Sequence, residues 1–133
     1  MNMKRKVALA LCLVLLVSFC AACGGQKSWA YDLPNDYRLH CVDGQVCVEQ
    51  NGEQALGYGV IAFCAGSRFV GIRQEHVTED STETYWFLVD TEKGMTYAAE
   101  TEEAFRQLCE DLSADDLGDW VDITGRPSGA HAG

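Results

Sequence analysis

Residues 85–105 read YWFLVDTEKGMTYAAETEEAF, and this stretch decides the fold. Tyr85 to Asp90 is a run rich in aromatic and branched residues, Thr91-Glu92-Lys93-Gly94 is a polar turn ending in glycine, and Met95 to Ala99 is a second strand-like run. Two such runs around a glycine turn spell an antiparallel hairpin. The chemistry then switches. Thr101 supplies a hydroxyl N-cap and Glu102-Glu103 place negative charge where the helix dipole favours it. Ala104, Phe105, Leu108, Cys109 and Leu112 follow at helical spacing and predict one apolar stripe lying on the sheet.

Working back from that hairpin, the chain repeats the same grammar. Residues 37–42 and 45–49 straddle Asp43-Gly44, Asn51-Gly52 marks another turn, and residues 59–64 and 68–73 straddle Ala65-Gly66-Ser67. Residues 79–84 are acidic and hydroxyl-rich, as suits a solvated loop. Several strands are apolar on both faces, which implies a central position or a helix packed on one side. The expected fold is mainly β with one packed helix: an antiparallel β-meander of about six strands plus a C-terminal α-helix.

The first residues have a different purpose. Lys4, Arg5 and Lys6 precede an uncharged run over residues 7–22, the layout of a signal peptide. That run is shorter than the ~20 apolar residues of a spanning helix. Cys20 and Cys23 form a Cys-x-x-Cys pair, but Cys20 lies in the apolar run, where a thiolate is poorly solvated, and no second ligand pair of matching spacing follows. Ala21-Ala22-Cys23-Gly24-Gly25 instead resembles a bacterial lipobox, with Cys20 where Leu, Val or Ile is usual. The resemblance implies lipidation at Cys23 and a protein held on the outer face of the bacterial cytoplasmic membrane by its N-terminal acyl chains; two or more chains anchor stably. The expected division is a lipoprotein signal over 1–22, a tether over 23–30, one β-plus-helix domain over 31–124 and a disordered tail over 125–133. That tail has Gly, Pro, Ser and Ala and almost no large apolar residue.

Past residue 22 the chain has seven basic and twenty acidic residues, a formal charge of −13. Such a surface repels nucleic acid and anionic lipid headgroups and favours an extracytoplasmic basic protein or metal cations as partners, while solubility alone also accounts for it. A monomer is expected. Cys41, Cys47, Cys64 and Cys109 allow up to two disulfides in an exported domain. If the loop closes around Asp43-Gly44-Gln45, Cys41 and Cys47 face each other; if the turn is the two-residue Asp43-Gly44 type, Cys41 meets Val46 and the two sulfurs point to opposite faces. Buried free thiols remain the third alternative.

Catalytic chemistry leaves no signature. A nucleophile elbow, a P-loop, a His-Glu-x-x-His helix and a dinucleotide fingerprint are all missing from the sequence. A zinc site from His40 or His76 with carboxylates has no supporting spacing, and Asp111, Asp115, Asp116, Asp119 and Asp122 lack the ligand order of a calcium loop. No catalytic residue, metal or cofactor is expected. Trp86 belongs in the core, and Trp29 is placed near the lipid interface. For binding, the exposed residues of the Glu79 to Glu83 loop and the acidic end of the helix stand out.

The hairpin and helix start quoted above, with Tyr31-Asp32-Leu33-Pro34-Asn35-Asp36-Tyr37, resemble a group of small uncharacterised lipoproteins of Gram-positive bacteria. These carry a strand, an Asp-x-x-x-Gly turn, a strand with Tyr and a Thr-x-Glu-Glu-Phe helix start. Here Ala98-Ala99 stands where Gly-Pro is frequent, and Ala104 where Glu is frequent. That group implies a surface-anchored protein and brings no established activity or catalytic residues to carry over. Cys41-Val42-Asp43-Gly44-Gln45 is also similar to the start of membrane-bound lysozyme inhibitors, small β-barrels that block a basic cell-wall hydrolase.

Overall fold

The computed structural model describes residues 28–123 and 125–132. The signal segment and Cys23 lie outside the described residues. Within them the chain is mainly β, in two antiparallel sheets, with one α-helix. Sheet A has the order β10-β1-β2-β3-β4 and sheet B the order β8-β7-β6-β5-β9. The strands are β1 (Trp29–Asp32), β2 (Tyr37–Val42), β3 (Gln45–Gln50), β4 (Glu53–Leu56), β5 (Val60–Ala65), β6 (Phe69–Val77), β7 (Thr82–Asp90), β8 (Met95–Ala99), β9 (Val121–Asp122) and β10 (His131–Ala132); the helix α1 is Glu102–Asp111.

Ten strands replace the single six-strand meander, and the differences have local causes. The segment expected to be a tether ends in β1, whose Trp29 is buried in the core rather than placed at a lipid interface. β4 carries Glu53 and Gln54, poor strand formers that survive on an edge. The segment expected to be a disordered tail contributes β10, which pairs Ala132 with Trp29 and His131 with Ala30. His131 Nε2 also meets Asp32 Oδ1 at 3.0 Å.

The sheets pack through Leu39, Cys41, Val46 and Val48 of sheet A against Phe63, Val70, Ile72 and Val89 of sheet B. The chain crosses from one sheet to the other at Gly57-Tyr58-Gly59. Gly59 has φ 105, and a Cβ there would lie 2.6 Å from the Glu75 carbonyl, so only glycine fits. Buried Gln74 holds this corner by donating to the carbonyls of Gly57 at 2.8 Å and Tyr58 at 3.0 Å. A second polar tie sits at the other end. Arg68 grips Asp90 with Nε at 3.0 Å and Nη2 at 2.8 Å, Thr91 Oγ1 donates to the Arg68 carbonyl, and Asn35 donates to Thr91 Oγ1 at 2.9 Å.

Sheet B is apolar on both faces because α1 covers the side turned away from sheet A, as the doubly apolar strands implied. Thr101 caps the helix, its Oγ1 accepting from Ala104 N at 3.1 Å. Phe105 is the helix's buried residue and packs with Phe69, Leu88 and Ala99, with Leu108, Cys109 and Leu112 half-buried beside it. Ala104, expected on the apolar stripe, is exposed. Its position is one step off the face centred on Phe105 and Leu108.

Candidate functional site

The β2–β3 hairpin turns on Asp43 (φ 53) and Gly44 (φ 80), two left-handed residues in sequence, as in a type I′ turn. That turn sets Cys41 opposite Val46 and His40 opposite Cys47. The open question about the loop therefore resolves to the two-residue form. Cys41 faces the core between the sheets, whereas Cys47 faces outward. All four cysteines, Cys41, Cys47, Cys64 and Cys109, are free.

On that outer face the register assembles a polar cluster. Arg38, His40, Cys47 and Glu49 lie side by side, since Arg38 is opposite Glu49 and Cys47 and Glu49 are two apart on one strand. Arg38 Nε and Nη2 both lie 2.8 Å from Glu49 Oε1. The other oxygen, Oε2, is 3.1 Å from His40 Nδ1. One donor atom each from His40, Cys47 and Glu49 all lie within 4.8 Å of one another. Cys47 is buried beneath these longer side chains. Burial and the nearby Glu49 charge push the Cys47 thiol up. Burial also opposes ionisation of Glu49, but the hydrogen bonds from Arg38 and His40 outweigh it and its carboxyl titrates below the usual range. Beside the cluster, an open polar depression of about 480 Å³ is lined by Asp32, Asp36, Tyr37, Arg38 and Asn51.

The second candidate is the β6–β7 hairpin. β5 follows β6 only as far as Gln74, and β8 meets β7 only from Trp86 onward. Apart from one bond from Glu75 N to the Gly59 carbonyl at 2.9 Å, the pairs Glu75–Thr84, His76–Glu83 and Val77–Thr82 therefore have no third strand among the described residues. At about 3.3 Å per residue the arm reaches about 10 Å past its neighbours. Its tip closes through Thr78 N to the Ser81 carbonyl at 2.8 Å, and Glu79, Asp80 and Glu83 are exposed on it. Val77 is 76% exposed, the most exposed large hydrophobic residue described. The loop expected over residues 79–84 is thus shorter than anticipated, because β7 begins at Thr82.

Other candidates disperse. His76 bonds Gln74 Oε1 at 3.0 Å and packs edge-on against Tyr85. Among the carboxylates at the helix end, Asp116 caps the β5–β6 turn by accepting from Ser67 N at 2.6 Å and Arg68 N at 3.0 Å. Asp122 pairs with Arg73 at 3.0 Å, and Asp111 accepts from Gln107. These residues have structural partners rather than a shared focus. Trp120 packs on Phe105 with ring centroids 5.4 Å apart, and Trp86 is half-buried in the same cluster. The outer-face cluster was missed because the sequence shows only Cys47 and Glu49 at i, i+2; His40 joins them through the register alone.

Three carboxyls are held low: Glu49, Asp90 by the Arg68 guanidinium, and Asp116, where burial opposes but the backbone N–H groups of Ser67 and Arg68 prevail. A carboxyl with a depressed folded pKa contributes stability above its unfolded value, and that contribution is lost as pH falls through the folded one. These three carboxyls therefore add no pH dependence above about pH 5 and should make the urea midpoint fall below about pH 4. A midpoint unchanged down to about pH 3 would contradict these pairings.

The chain matches no family model, no curated protein and no solved structure. Among the described residues no helix is long and apolar enough to cross a membrane.

Proposed function

We propose that the protein is a non-enzymatic binding module, anchored through Cys23 lipid on the outer face of the bacterial cytoplasmic membrane, which captures a basic extracytoplasmic protein. The projecting β6–β7 arm carries this reading. An unsupported hairpin that exposes Val77 beside Glu79, Asp80 and Glu83 offers an apolar contact inside a negative rim. Past the Glu75 N–H, which donates to the Gly59 carbonyl at 2.9 Å, the arm's backbone lies at open strand edges suited to strand addition. The formal charge of −13 past residue 22 would draw a basic partner in and make the encounter salt-sensitive.

Pull-down from an envelope extract tests the reading, with wild type compared against a V77S/E79Q/D80N variant. One protein should be enriched by wild type over a charge-matched control and lost with the variant. Equal recovery by both, or no enrichment over the control, would sink the assignment to the arm. The same charge favours a second reading, inhibition of a basic cell-wall hydrolase. Salt-sensitive inhibition of lysozyme by the purified protein would support it, and full lysozyme activity at micromolar protein would remove it.

A further inference from the structure

The outer face of sheet A gathers three different donors, a thiol, an imidazole and a carboxylate, on two adjacent strands. We propose that His40, Cys47 and Glu49 bind one divalent cation of the zinc class, with Arg38 holding the carboxylate from behind. The register fixes the three backbones: His40 stands opposite Cys47, and Glu49 is two residues further along the same face. Their donor atoms lie within 4.8 Å of one another. Zinc bonds of about 2.0–2.3 Å place tetrahedral ligands about 3.3–3.8 Å apart. Closing that gap takes an ångström or so, within reach of side-chain rotation at His40 and Glu49.

The donor set selects the ion. Sulfur and imidazole nitrogen suit zinc and its transition-metal neighbours, whereas calcium and magnesium require oxygen shells. Three protein ligands leave a fourth position for water, the arrangement of an open zinc site. Access comes from solvent, because the side chains of His40 and Glu49 retain 20% and 13% exposure at the rim above buried Cys47. Glu49 is prepared for the role. Arg38 occupies Oε1 while Oε2 is turned toward His40, the kind of outer contact that orients a ligating carboxylate.

Binding breaks the Cys47 S–H bond, forms a sulfur–metal bond and passes the proton to solvent. Thiolate and carboxylate then neutralise the dication, which offsets the burial that otherwise keeps the thiol protonated. The site is built on sheet A and the β6–β7 arm on sheet B, so the proposal does not depend on what that arm binds.

Titration of the full, reduced chain with cobalt(II) tests the proposal. A thiolate-to-cobalt charge-transfer band should saturate at one equivalent, release one proton per ion and bleach on adding zinc. Cys47→Ser should abolish the band, Cys41→Ser should leave it, and His40→Ala or Glu49→Gln should weaken binding more than about tenfold. A band that survives Cys47→Ser overturns the site. So does the lack of a band in protein whose thiols are shown to be reduced. If Cys47→Ser fails to fold, His40→Ala decides, since its side chain lies at the rim; unchanged cobalt affinity in that variant overturns the proposal.

Discussion

Phe105→Ala should destabilise the protein by about 3–5 kcal/mol, the usual range for emptying a buried phenylalanine site. The size follows from how α1 is attached. The helix is amphipathic but only ten residues long, and Phe105 is its buried residue. A helix that short is marginal by itself in water, so tertiary packing must hold it. The ring sits over Gly71, where an added methyl would come within 3.0 Å of the Phe105 ring edge and 2.5 Å of Cys64 Sγ. Glycine on β6 thus provides the depression and Phe105 fills it. Urea unfolding followed by far-ultraviolet circular dichroism measures the loss. The neighbouring Trp120, 5.4 Å away between ring centroids, reports local loosening by fluorescence. A loss below about 1 kcal/mol would mean that α1 is held by something other than this contact.

Ile72→Ala is the second large effect, expected at about 2–5 kcal/mol. Ile72 is fully buried in β6, paired with Phe63 on β5 and Phe87 on β7, and points into the layer between the sheets. Strands on both sides restrain the backbone, so the cavity cannot close by a local shift. Five residues along the same strand, Val77→Ala removes a side chain that is 76% exposed and should change stability by no more than about 0.5 kcal/mol. The pair is a direct comparison of two branched residues on one strand. Equal unfolding midpoints would contradict the placement of β6 with one end in the core and the other in solvent.

Legibility in the sequence followed the strength of local signals. Six of the strands between Tyr37 and Ala99 were readable because each is bounded by a turn such as Asp43-Gly44 or Lys93-Gly94, and α1 because Thr101-Glu102-Glu103 precedes an apolar stripe. β1 was hidden because Trp29-Ala30 follows a polar, glycine-rich segment and pairs with residues some ten positions later. β10 was invisible for a stronger reason: two residues, His131 and Ala132, pair across about a hundred positions of chain. Strand count alone also could not reveal two sheets. The division rests on Gly57-Tyr58-Gly59, where a left-handed glycine and the Gln74 amide turn the chain from one layer into the other. The His40–Cys47–Glu49 cluster was unreadable for the same kind of reason, since its residues become neighbours only after the hairpin register is chosen.

That register gives the Asp43-Gly44 turn a reach beyond its own four residues. A loop with an even number of residues places Cys41 and Cys47 on opposite sides of the ribbon. An odd one, closing around Asp43-Gly44-Gln45, would bring them face to face as partners for a cross-link. The parity of one short loop thus chooses whether Cys47 belongs to the chemistry of oxidation or to that of coordination. The interior enforces the same choice, because the odd register would turn Val46 and Val48 out of the core. Any change that costs Gly44 its left-handed backbone sets those two constraints against each other, and the fate of the thiol records which one prevails.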